Sequence, residues 1–169
     1  MDSLREWLMP YLLSNLLAIL CVIAAWKKPM WARIFLAAFF LWAAFINSRF
    51  AWLNPKVYLN YAQLTGFSLY KNFILGYFSN HISPFVFTIA AGQFLIFLGL
   101  ILNNGLTRTA CIGGIIFGLA IAPLGVGSGF PTTVLMAIAF YILLNKYPEH
   151  DFIWNLTQYT DSVSGKVAK

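Results

Sequence analysis

Between Glu6 and Glu149 the chain contains no aspartate and no glutamate. The same interval divides into five apolar runs, parted by short polar breaks. Together these two facts constrain the fold more than any motif does. A membrane-crossing helix needs about 20 largely apolar residues. It must be a helix or a closed barrel, because lipid offers no partner for backbone N–H and C=O groups. The runs cover 8–26, 33–53, 83–103, 106–124 and 131–146. The chain is 60% hydrophobic and only 9% charged, where soluble domains are about half apolar and a quarter charged. The expected fold is therefore an all-α integral membrane protein. Five transmembrane helices would form an antiparallel bundle, a single membrane domain over 1–146.

The breaks between runs are short. Lys27, Lys28 and Pro29 separate the first two, and Asn103, Asn104 and Gly105 the third and fourth. The uncharged stretch from Gly125 to Pro131 separates the last two. Such breaks suit hairpins between neighbouring helices. The connection over 54–82 is longer. Asn54-Pro55 is a helix-start signal, with Asn as cap and Pro at the first helical position. Tyr58, Tyr61 and Leu64 follow at helical spacing. Ser68 is placed to cap a second piece carrying Leu69, Phe73 and Tyr77. Lys56, Asn60, Gln63, Lys71 and Asn72 make these pieces too polar to span. Two short interfacial helices are expected, with tyrosines at headgroup depth; a sixth span is the alternative. Residues 147–169 are expected to be an inside-facing amphipathic tail, with Glu149 and Asp151 suited to a helix N-terminus.

The net charge of +6 comes from missing acid rather than from clustered base. No basic face of the kind that binds nucleic acid is present. The basic residues instead report orientation. With the N-terminus outside, the inner face collects Lys27, Lys28, Arg33, Arg108, Lys146, Lys166 and Lys169. The outer face keeps Arg5, Arg49, Lys56 and Lys71. The start MDSLREW lacks the basic region of a signal peptide, so the first run is expected to stay in the mature protein.

Missing acids also remove whole classes of chemistry. Intramembrane proton relays are built on Asp, Glu or His. The spans offer no carboxylate, and His81 and His150 fall on opposite sides of the expected topology. Cys21 and Cys111 stand alone, without a C-x-x-C or zinc spacing. No catalytic residue, metal site or intrinsic cofactor is expected, and the chain is not expected to be catalytic by itself. The partners it suits are the bilayer and other membrane subunits.

Two further patterns carry expectations. Ala110, Gly114, Gly118 and Ala122 recur every four residues, a small-residue seam for close helix packing. Gln93 lies inside the third run, where a buried amide needs a partner. It is either a bundle contact or a ligand contact. Arg49 raises the same question at the end of the second run. It can snorkel to lipid phosphate, with Trp52 as an interface anchor. Alternatively, the Asn54-Pro55 turn folds Tyr58 and Tyr61 over the bundle mouth. Asn47, Arg49, Tyr58, Tyr61 and Gln93 would then form an outer pocket for a quinone or a lipid.

From Arg33 onward the layout resembles the DoxX-like family of small four-helix membrane proteins. The stretches that carry the resemblance are "RIFLAAFFLWAAFINSRF", "NPKVYLNYA", "FTIAAGQFLIFLGLILNNGLTR" and "GGIIFGLAIAPLGVGSGFP". The resemblance covers about 33–146, and the span at 8–26 would be an N-terminal addition. It implies a membrane subunit of a larger respiratory or redox complex, with a quinone neighbourhood. Only Arg49 and Asn47 match the polar end of that family's first helix, where Lys is often found. The alternatives are a quinone-binding subunit of a quinone-linked oxidoreductase and a small transporter.

Overall fold

The computed structural model describes residues 2–102, 104–146 and Ile153. These residues are helical throughout their ordered elements, with no strand among them. Helix α1 runs Asp2–Lys27 and α2 runs Pro29–Leu53. A 3-10 segment at Pro55–Asn60 leads into α3 (Tyr61–Leu64) and α4 (Ser68–Leu75). After a short 3-10 turn come α5 (Ile82–Ile101) and α6 (Asn104–Ile121). A 3-10 segment at Ala122–Ser128 precedes α7, Thr132–Lys146. The expected tail at 147–169 lies outside the described residues, Ile153 excepted. The Ile153 N–H donates to the Ile101 carbonyl at the end of α5, at 3.1 Å.

Four helical stretches are long and apolar enough to cross a membrane: Met9–Lys27, Pro29–Leu53, Ile82–Ile101 and Gly105–Val126. They mark the chain as an integral membrane protein. The fifth apolar run forms α7, which has only 15 residues.

Proline chemistry sets the first break. Lys28 precedes Pro29, and the residue before a proline is pushed out of the helical region. Lys28 sits at φ −142° and ψ 71°, while Pro29 opens α2 at once. The second helix therefore starts four residues before the expected Arg33, and Arg33 is its fifth residue. The 54–82 connection also departs from expectation. It forms four short pieces rather than two. Neither Asn54 nor Ser68 caps a helix through its side chain; Asn54 closes α2 through its backbone N–H, and Phe67 holds the cap position of α4. These pieces bury Ala62, Ile74 and Phe78 against Ala51, Ile82 and Val86, a core cluster of their own.

The main core lies among α1, α2, α5, α6 and α7, around Leu36, Phe40, Leu100, Cys111 and Phe140. Phe40 meets Phe117 and Phe140 edge to face, with ring centroids 5.8 Å and 5.5 Å apart. Small residues set the helix spacing. A Cβ on Gly114 would strike the Phe140 ring, and one on Gly118 would lie 2.7 Å from the Thr133 carbonyl oxygen. Gly99 of α5 is equally tight against Ala110. Ala122 falls beyond α6, half-buried in the 3-10 segment.

Candidate functional site

One face of α2 and one of α5 meet in a polar contact. Positions 33, 36, 37, 40, 44, 47 and 51 of α2 share a stripe at helical spacing. Alanines at 43, 44 and 51 keep it low, so α5 packs closely. On α5 the facing stripe is Val86, Ala90, Gln93 and Leu100. Asn47 and Gln93 thus face each other. The Asn47 Nδ2 amide donates to Gln93 Oε1 at 2.8 Å. The 3-10 segment after Asn54-Pro55 swings Tyr58 back, and its hydroxyl donates to Asn47 Oδ1 at 2.8 Å. The Tyr61 ring stacks on Tyr58 with centroids 6.0 Å apart.

These four residues line a cavity of about 390 Å³. Sites for small molecules occupy about 300–1,000 Å³, so it would hold a ring-sized head. Aromatic and aliphatic side chains complete the wall, including Phe39, Phe73, Phe78 and Phe117. No charged residue lines it. The short helices form the roof, held by two hydrogen bonds to the end of α6 and the 3-10 segment after it. The Thr65 hydroxyl donates to the Pro123 carbonyl at 2.6 Å, and the Tyr70 hydroxyl to the Ala120 carbonyl at 2.8 Å. Beside them Gly125 takes φ +69°, and a Cβ there would approach the Leu64 carbonyl oxygen at 2.9 Å. A glycine is needed at 125 on both counts.

The donors in this wall are not all used. Gln93 is 4% exposed, yet among the described residues its Nε2 amide has no hydrogen-bond partner. Among the described residues the fully buried polar atom without a partner is Thr133 Oγ1; Gln93 Nε2 instead keeps access to the cavity. The Tyr61 hydroxyl also lacks a partner among the described residues. Burial, with Tyr61 alongside, pushes the Tyr58 phenol up to about 12, and burial pushes Tyr61 up as well. Both therefore stay neutral near pH 7. The arrangement offers neutral hydrogen-bond donors beside an apolar wall.

The chain matches no family model, no curated protein and no solved structure.

Of the five expected pocket residues, the structure brings Asn47, Tyr58, Tyr61 and Gln93 together and leaves Arg49 out. Arg49 is exposed and does not line the cavity. Helix geometry explains this: each residue advances about 100°, so a side chain two positions after Asn47 points to the far side. The snorkelling account of Arg49 fits this position, and the pocket account does not.

The buried arginine is Arg33, which charge counting places at the inner face as an orientation marker. Its side chain is 0% exposed. Nε donates to the Leu100 carbonyl at 2.5 Å, and Nη2 donates to the Leu102 carbonyl and to the Thr107 hydroxyl. The Thr107 hydroxyl itself reaches the Gly99 carbonyl at 3.0 Å. A cation at a helix C-terminus satisfies carbonyls that have no intrahelical partner and complements the helix dipole. Arg33 is thus a structural tie between α2, α5 and α6. The signal was its place on the stripe shared with Leu36, Phe40 and Asn47. The aromatic walls from Phe39, Phe73, Phe78 and Phe117 carried no comparable signal, because phenylalanine recurs along the whole chain from α2 to α7.

Proposed function

We propose that this protein is a non-catalytic membrane subunit whose cavity holds a neutral, lipid-soluble molecule with a carbonyl on a ring-sized head. A quinone fits that description. The carrying observation is Gln93, a nearly fully buried amide with one polar atom unpaired beside an uncharged cavity. An acceptor on an apolar body meets both needs of that wall. The resemblance to DoxX-like proteins adds the wider setting, a respiratory or redox complex in a bacterial or archaeal plasma membrane. In this reading α7 is the fifth span of an antiparallel bundle. The N-terminus is outside, the C-terminus inside, and the cavity lies at the outer end.

The test is ligand content. Protein purified in mild detergent is extracted with organic solvent, and the extract is quantified by mass spectrometry. Wild type should carry a carbonyl lipid near one per chain. The Gln93→Leu variant should lose about tenfold or more, as expected for removing one buried hydrogen-bond donor. Arg49→Leu should retain it. Because burial raises the Tyr58 and Tyr61 phenols above their usual range, retention should be flat from about pH 6 to about pH 9. Wild-type protein without carbonyl lipid, or equal content in Gln93→Leu, would sink the proposal.

A further inference from the structure

Three neutral groups run in series along the cavity wall, and both ends of the series line the cavity. Gln93 is at one end, Tyr58 at the other, and Asn47 lies between them. A carboxamide has an oxygen and a nitrogen in equivalent positions, and a phenol hydroxyl both donates and accepts. Turning both amides through half a turn therefore keeps both 2.8 Å separations and reverses every donation. In one arrangement Tyr58 donates to Asn47, Asn47 donates to Gln93, and Gln93 shows the cavity an N–H. In the other Gln93 donates to Asn47, and Asn47 donates to Tyr58. Gln93 then shows the cavity a carbonyl oxygen, and the Tyr58 proton is released toward it. No net charge moves, and no ionised residue in the wall fixes the direction.

We infer that this series is a reversible hydrogen-bond wall, through which the cavity accepts both the carbonyl and the hydroxyl form of one ring compound. The inference rests on the proposed function and specifies its ligand class. A carbonyl ligand selects the arrangement with the Gln93 N–H exposed. A hydroxyl ligand selects the reverse. A wall fixed with the Gln93 N–H exposed still donates to the oxygen of either form, but it leaves the hydroxyl's own proton without an acceptor, at a cost of about 1–3 kcal/mol.

The probes are tetralone and tetralol, a ketone and alcohol on the same fused ring. Binding is measured by calorimetry with the full chain in phosphatidylcholine nanodiscs, after subtracting partition into empty discs. Wild type should bind the two with dissociation constants within about threefold of each other, against roughly tenfold or more where the alcohol proton is left without an acceptor. A ratio beyond about tenfold overturns the reversible wall and leaves the proposed function standing. Binding of neither probe overturns both. Asn47→Asp supplies the second arm. An ionised carboxylate only accepts, so it holds the Gln93 N–H and turns the Gln93 oxygen to the cavity. Tetralol should then be preferred by about tenfold or more, and an unchanged ratio counts against the inference. Should that variant fail to fold, the wild-type ratio decides alone.

Discussion

Two arginines near opposite ends of α2 show how differently one residue type is used. Arg33 is fully buried on helix-end carbonyls, and Arg49 is exposed. Replacing each by leucine should separate the roles. Arg33→Leu removes charge-assisted bonds worth about 1.5–3 kcal/mol each and leaves carbonyls without a donor, so a loss of about 3 kcal/mol or more is expected. Arg49→Leu should stay within about 0.5 kcal/mol. Reversible unfolding in mixed micelles measures both, and equal losses would refute the distinction. At this scale the sequence was only half legible. Asn47, Tyr58, Tyr61 and Gln93 could be grouped because the Asn54-Pro55 turn must fold the tyrosines back. Arg49 was grouped with them by nearness along the chain, and nearness is not facing. Arg33 beside the Lys27-Lys28-Pro29 break looked like a loop charge, although its helical stripe places it inward.

For whole elements, the runs and their breaks were largely readable, since apolar length and proline position act locally. The ends were less so. Pro29 starts α2 at once, and the 54–82 connection buries a small core of its own, which composition does not reveal. Contact between helices is where glycines differ. A Cβ on Gly118 would lie 2.7 Å from a backbone oxygen that has no flexible way to yield. Gly92, on the face also carrying Thr88, has nothing within 4 Å; small size alone could not tell the two apart. Gly118→Ala should therefore cost about 1–3 kcal/mol through forced separation of α6 and α7. Gly92→Ala should be neutral or stabilise by up to about 1 kcal/mol through helix propensity. The same unfolding assay decides, and a tolerated Gly118→Ala would contradict the tight crossing.

The molecule as a whole has exposed lysines at both ends, and one end is closed by the short helices. Lys27 and Lys28 flank the start of α2, while Lys56 and Lys71 follow its end, and all four are exposed. With the cavity outside, a membrane-impermeant amine reagent added to intact cells should modify Lys56 and Lys71. It should reach Lys27 and Lys28 only after the membrane is opened, and the opposite pattern would invert the orientation. The 15 residues of α7 have a consequence at this scale too. At about 1.5 Å per residue that helix reaches roughly 22 Å, short of a hydrocarbon core of about 30 Å. If α7 crosses as the fifth span over these described residues alone, the bundle has one short stave. Lipid beside its exposed Ile138 and Tyr141 must compress to meet it, or a neighbouring chain must cover the gap. The protein would then favour thin membrane, and the dent beside α7 would draw in whatever partner relieves it.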